Sequence, residues 1–491
     1  MHPRRIAIPS VLLLASVGLA PSAATADTTS ALAFQKGLQL SAPFPYGLAQ
    51  GEPTIRVDNT GLMYVMAPGS TPIGCELWTL PPGAQSDAFR GAPDDGAGGG
   101  DCDVAISPTT AAGQSNPTMA YSSLSLPNIT VGNTTDGGAS FSTPNLAASQ
   151  VPGDDRQWMA WGDANTVYLD SHLLATDNIG VSASTDGGLT YAFRGFAIDA
   201  AHIAQAAYNN ELGPLVVDTV STASPQPLYT IFTAPATALE NLNSAAGETA
   251  DNNNAVYLAS STDGGYTWTD TPIWVGPTTE TYDHIFPALA IDASGNLWAA
   301  WASAEHIYVS HAPTRGGDLD DPTSTDLSVQ LLPDPTIDLS TQPAGTLAWS
   351  TPIQIDQTGA TANLYPWIAG GGNGRADLVW YAGTGVSNSD PTNQWVVRFA
   401  QLHATNQGLA VDQTVASDHV IHYGEICTTG VTCGVTGNRN LLDFFTDAIT
   451  PDGRAVIAWA DDATSTGAQI YVTEQCSGVN ARSGQQLPAV C

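Results

Sequence analysis

Lysine is almost missing from this chain. Lys36 is the only one in 491 residues, and Lys and Arg together number 13 against 46 Asp and Glu, for a formal charge of −33. Such a polyanion repels phosphate backbones and anionic bilayers, which excludes nucleic acid and membrane surfaces as partners. The acidity serves either solubility in an extracellular setting or attraction of a cationic partner. Beyond residue 20 no apolar run approaches the roughly 20 residues of a membrane span, and apolar residues at helical spacing are scarce. There is no P-loop, dinucleotide fingerprint or Gly-x-Ser-x-Gly elbow, so nucleotide-dependent and α/β-hydrolase chemistry have no sequence support. No CxxC pair exists and no histidine keeps a ligand spacing to a cysteine, so a zinc site is not expected. The six cysteines instead suit up to three disulfides, with sequence neighbours pairing Cys75 with Cys102, Cys427 with Cys433, and Cys476 with Cys491.

At the amino end, Arg4 and Arg5 precede an apolar run over 6–20, and Ala24-Thr25-Ala26 offers a small-residue cleavage site. Residues 1–26 therefore read as a secretory signal peptide, and 27–491 as a single exported domain, expected to be monomeric. Gly, Pro, Ser, Thr, Asp and Asn are spread between short Val, Ile, Leu, Tyr and Trp runs, and no linker-like stretch divides the chain.

One stretch occurs three times: Thr134-Thr135-Asp136-Gly137-Gly138-Ala139-Ser140-Phe141, Ser184-Thr185-Asp186-Gly187-Gly188-Leu189-Thr190-Tyr191 and Ser261-Thr262-Asp263-Gly264-Gly265-Tyr266-Thr267-Trp268. The two glycines accept φ > 0 and the Asp accepts bonds from N–H groups just downstream, which describes a tight turn between strands. The pattern Ser/Thr-x-Asp-x-Gly-x-Thr-aromatic closely resembles the Asp-box, or BNR repeat, of secreted β-propellers that include the bacterial sialidases. In that superfamily the box joins the third and fourth strands of a blade, far from the active centre, so the resemblance implies structural roles for Asp136, Asp186 and Asp263.

A second repeat is more regular. A short apolar strand, a Gly- or Asp-containing turn and another strand occur at 53–58 with 62–66, 157–162 with 167–170, 213–218 with 228–232, 287–292 with 297–301, 366–371 with 378–381, and 445–450 with 455–459. Six units with third strands behind them predict an all-β, six-bladed β-propeller of four-stranded blades, sialidase-like. The last unit lacks a fourth strand. The segment Gly37-Leu38-Gln39-Leu40-Ser41 has the character to supply it and close the ring, because an open sheet edge is a liability. Asp94, Asp95, Asp101 and Asp103, or Asp318, Asp320 and Asp321, form acidic loops that either bind calcium or are simply solvated. Neither group has the ordered spacing of a calcium loop, so no metal or other cofactor is assigned.

In a propeller the loops entering the innermost strands converge on one funnel. The repeat places Glu52, Asp155 and Arg156, Asn210 and Glu211, Asp283 and His284, Asn363 and Tyr365, and Arg439 and Asp443 there. They are either ligand contacts or caps of the turns. The sialidase resemblance implies three arginines gripping a carboxylate, an acid/base Asp, and a Tyr nucleophile activated by Glu. Ten arginines remain after the signal peptide, but Arg375 and Arg454 sit at the other end of the inner strands and Arg315 in a degenerate box. By position in the repeat, the triad is Arg56, Arg156 and Arg439, the nucleophile pair Tyr365 with Glu211, and the acid/base Asp155. The family's Phe/Tyr-Arg-Ile-Pro motif is absent. Trp158 and Trp367, at equivalent places in their strands, either stack on sugar or pack between blades. The expected function is binding of an extracellular glycan or glycoconjugate at the central funnel. The alternative is a divergent exo-alpha-sialidase or related glycoside hydrolase.

Overall fold

The computed structural model describes residues 32–69, 74–94, 100–125, 128–145, 153–163, 165–207, 209–245, 253–282, 284–303, 306–313, 347–357, 359–405, 408–433, 438–463 and 467–491. The signal segment, Asp95, Asp283, Arg315, Asp318, Asp320 and Asp321 lie outside them.

The described strands form seven antiparallel sheets, one more than the repeat spacing predicts. The extra blade is the second, built of Cys102–Ile106, Met119–Ser125 and Asn128–Thr134, with one bridge from Val131 to Asn145 at its outer edge. It falls in the long interval between the units at 53 and 157. Its first two strands are joined by residues 107–118 rather than by a short Gly/Asp turn, so the strand-turn-strand signature is broken there. Asn128–Thr134, which, read by the repeat spacing, is the third strand of the unit at 53–58, consequently belongs to this blade, and the first blade completes itself with Cys75–Leu80 and Ala88–Gly91.

The other inner strands are Thr54–Val57, Asp154–Trp161, the broken pair Glu211–Leu212 and Val216–Val217, Ala288–Ile291, Ala362–Gly370 and Thr446–Ile449. Each is followed outward by its hairpin partners in sequence order. Middle strands are covered on both faces by neighbouring blades and therefore lose the apolar/polar alternation: Leu297–Ala302 reads LWAAWA and is buried throughout. Where inner strands approach closely only glycine fits. A Cβ on Gly213 would meet the Pro287 carbonyl oxygen at 2.1 Å, and one on Gly370 the Ile291 carbonyl oxygen at 2.0 Å.

The ring closes as the amino-terminal segment predicts. Ala33–Phe34 and Leu38–Gln39 both pair with Gln469–Ser477, giving the seventh blade its outer edge. Leu40 donates its N–H to the Ile470 carbonyl at 2.8 Å, and the Phe34 ring packs 4.8 Å from Phe399 of the sixth blade. On the inner side, Thr446 Oγ1 accepts the Ile55 N–H at 2.7 Å, joining the seventh blade to the first. All three expected disulfides are present, and Cys75–Cys102 ties the first blade to the inner strand of the second.

The three Asp-Gly-Gly turns share one hydrogen-bonding plan. Asp136, Asp186 and Asp263 each accept the backbone N–H four residues on, at 2.9, 2.9 and 3.0 Å. Thr134, Ser184 and Ser261 hydroxyls take the N–H of the second glycine. The Trp268 ring folds back and donates Nε1–H to Gly265 at 2.9 Å. These bonds favour the ionised carboxylate and hold all three Asp below their ordinary pKa despite some desolvation.

Candidate functional site

Four aromatic side chains from four inner-strand entrances meet on the axis. Trp158 lies 4.8 Å from Trp367, 4.9 Å from Phe444 and 5.8 Å from Phe286, centroid to centroid. They form a floor across the central channel. Trp158 and Trp367 are 0% and 5% exposed, so of their two readings, packing prevails over a face open to sugar.

The floor separates two cavities. The one at the ends of the inner strands, about 380 Å³, is walled by Ile106, Met159, Leu215, Val217, Ile291 and Ile368 and holds two charged groups, Arg56 and Asp447. The one at their beginnings, about 560 Å³, is polar, with Glu52, Asp101, Asp155, Glu211 and Asp443 facing Arg156, Arg439, His172 and His284. Thr428, Thr429 and Gly430, in the loop closed by Cys427–Cys433, form part of its rim.

Backbone irregularities aim the side chains of this upper cavity. The register of the third blade slips between Asp155 and Gln157, and that of the sixth between Leu364 and Trp367, so Arg156 and Tyr365 sit in bulges. Glu52, Arg156, Tyr365 and Leu442, at matching entrances, have φ of 45°, 23°, 57° and 60°. Non-glycine residues in this region are strained by about 1–3 kcal/mol each and persist only where the surroundings impose them.

Glu52 is 3% exposed and takes the Asp443 N–H on Oε1 at 3.0 Å. Burial, then the neighbouring Asp101 carboxylate, hold its pKa well above the ordinary value, against the pull of Arg156 and Arg439. A side-chain hydrogen bond with Asp101 adds to the rise. Asp155 is also raised, by burial first and then by Asp101. Burial holds the pKa of His172, across the strand pair from Asp155, below its ordinary value, against the pull of Asp155 and Asp177.

Arg156 is buried, its guanidinium carbon 3.6 Å from the Trp158 ring centre and 4.1 Å from that of Phe444. Nη2 donates to the Cys102 carbonyl at 3.3 Å, while Nε and Nη1 have no hydrogen-bond acceptor among the described residues. The cation rests on the rings and on the field of Asp101, Glu52, Asp103 and Asp155. Arg439 makes a two-pronged pair with Asp443.

Of the residues placed at the funnel from sequence, Glu52, Asp155, Arg156, Glu211, His284, Arg439 and Asp443 share this upper cavity. Asn210 is buried beside it, donating to the Asp177 and Ala206 carbonyls at 2.8 Å, which is a capping role. Arg56 lies beyond the floor, 5.9 Å from the Trp367 ring and 3.3 Å from Asp103, so the three arginines do not meet in one cavity. Tyr365 is 1% exposed, with Oη 3.5 Å from the Cys427 carbonyl, and the charges acting on it are Arg439 and Glu52. Burial pushes its hydroxyl further from ionisation. Asn363 is buried and donates to Asp356 at 3.0 Å.

Of the acidic residues weighed for calcium, the three described ones, Asp94, Asp101 and Asp103, do not gather around one point. Asp94 accepts the Cys75 N–H at 2.9 Å, Asp103 accepts from Met159 N–H at 2.7 Å and from Arg56, and Asp101 turns into the upper cavity. Sequence reasoning did not place Asp101 and His172 in the funnel. Asp101 stands directly before the inner strand of the second blade, as Glu52 stands just before that of the first, and a repeat count that omits the second blade hides it.

No known protein family matches the sequence, and no curated protein is detectably similar to it. Solved structures with a similar course include an alpha-L-arabinanase of Penicillium chrysogenum, 9% identical, covering 90% of this chain and 98% of its own at a TM-score of 0.43. The Aleuria aurantia lectin is 9% identical over 77% of this chain and 99% of its own, TM-score 0.41. A Hadza microbial sialidase is 10% identical over 75% and 66%, TM-score 0.39. At such scores the likeness bears on neither ligand nor activity.

Proposed function

We propose that the upper cavity is a carbohydrate site and that its ligand is a neutral glycan rather than a sialoside. The observation that carries this is the composition of the wall: five carboxyl side chains face two guanidiniums. Arg439 is paired with Asp443, Arg156 is stacked on the floor, and Arg56 is in the other chamber. A bound carboxylate would meet net negative charge in a partly desolvated space, whereas sugar hydroxyls suit a ring of acceptors. The volume falls within the range of small-ligand sites, and the loop held by Cys427–Cys433 supplies hydroxyls at the rim.

A hydrolytic reading is favoured by one feature, the raised pKa of the buried Glu52 carboxyl beside Asp101. A neutral carboxyl in a buried site is what glycoside cleavage needs as general acid, and Asp155 is the carboxyl available to act as its base or nucleophile partner. In this reading Tyr365 packs beneath the site and does not attack. Purified protein is assayed against neutral aryl glycosides and an aryl sialoside, with Glu52→Gln as comparison. Turnover of a neutral glycoside that Glu52→Gln abolishes supports hydrolysis. Saturable binding without turnover leaves a glycan-binding propeller. Cleavage of the sialoside overturns the neutral-glycan reading.

A further inference from the structure

Away from the funnel, the outer edges of the third and fourth blades meet at three residues. Asp199 follows the outer strand Ala192–Phe196 of the third blade, His202 precedes the short helix Ile203–Ala206, and Asp270 lies in the outer strand Thr269–Val275 of the fourth. The two carboxylates exchange backbone donors: Asp199 N–H reaches Asp270 Oδ2 at 2.8 Å, and Asp270 N–H reaches Asp199 Oδ2 at 3.0 Å. That exchange holds the two side chains face to face. His202 Nδ1 is 2.9 Å from Asp199 Oδ1 and 3.9 Å from Asp270 Oδ2, and one ligand atom from each residue lies within 4.8 Å of the others. The Tyr257 ring, 5.7 Å from the imidazole, packs against its orientation.

The backbone exchange and the cap that Asp199 Oδ1 gives to Ala201 and His202 account for Asp199. They account for Asp270 Oδ2 but not for its Oδ1. Its side chain is completely inaccessible, yet among the described residues Oδ1 has no hydrogen-bond partner. A buried carboxylate oxygen without a donor is costly unless a proton or a cation is available to it. The imidazole, 24% exposed, leaves a path from solvent.

We propose that Asp199, His202 and Asp270 form a binding site for one divalent cation of the zinc class, which ties the third and fourth blades together at their outer edges. One imidazole nitrogen and two carboxylate oxygens suit Zn²⁺ better than Ca²⁺, which takes six to eight oxygens. Donors sharing a tetrahedral Zn²⁺ lie roughly 3.4 Å apart, between the two distances His202 Nδ1 already spans. Water would complete the shell.

The test uses the full mature chain after dialysis against a chelator. Zinc chloride is titrated calorimetrically into the wild type, His202→Ala and Asp270→Asn, and the thermal midpoint of each is followed with and without zinc. Calcium chloride serves as the comparison ion. The expected result is one tight equivalent of Zn²⁺ with a rise in midpoint for the wild type. Both variants, folded by circular dichroism, should lose at least about tenfold in affinity and most of the rise. His202 is partly exposed, so its alanine variant keeps the test meaningful if Asp270→Asn destabilises the fold. Wild-type protein that binds no stoichiometric zinc, or a folded variant that binds it as tightly as the wild type, overturns the proposal.

Discussion

The guanidinium of Arg156 lies 3.6 Å above the centre of the Trp158 ring, at the point where the polar cavity meets the aromatic floor. The cation neutralises carboxylates that converge from the first three blades, and the ring gives it a surface in place of water. Replacing Arg156 with Ala leaves Glu52, Asp101 and Asp155 unbalanced in a desolvated space. The expected loss is about 3–5 kcal/mol, the range for removing one partner of a buried ionic cluster. Urea unfolding at neutral pH measures it.

Glu52 makes stability fall as pH rises. Its pKa is raised in the folded protein, so the unfolded chain loses this proton first, near the ordinary value of 4.5. Over the window from there up to the folded pKa, the native state holds the extra proton and stability declines with pH. Glu52→Gln removes that contribution. Unfolding at about pH 5 and about pH 8 should show a smaller decline for the variant than for the wild type, and a variant less stable than wild type at the higher pH contradicts the assignment.

Much of this architecture was legible in the sequence, for identifiable reasons. The Asp-Gly-Gly turns and the apolar hairpins carry their geometry locally, and the amino-terminal clasp follows from the last blade lacking an edge. The second blade was not legible because residues 107–118 replace the short turn that marks the others. That omission hid Asp101 as well. Position in the repeat brought Arg156 and Arg439 together, but it could not reveal that Arg56, only four residues beyond Glu52, falls on the far side of an aromatic floor assembled from blades distant in sequence.

Leu40 anchors the clasp, 3% exposed against the seventh blade. Leu40→Ala should cost about 2–5 kcal/mol, as for other buried leucines. Deleting the chain through residue 41 should additionally expose the edge of Gln469–Ser477 and promote association, visible by light scattering.

The Cys75–Cys102 bond closes a separation of 27 residues and joins the first two blades beside Arg156. Replacing both cysteines with Ser should lower stability by about 2–5 kcal/mol. The same substitution at Cys427 and Cys433 frees the rim of the cavity, and it should weaken glycan binding more than it lowers the thermal midpoint.

The most direct test of the carbohydrate site is calorimetric titration of the wild type, Asp155→Asn and Glu211→Gln with a panel of neutral oligosaccharides and with sialyllactose. Saturable binding of a neutral oligosaccharide is predicted, weakened by at least about tenfold, or ~1.4 kcal/mol, in each variant while folding is retained. Preference for sialyllactose, no binding across the neutral panel, or binding unchanged in both variants would contradict it.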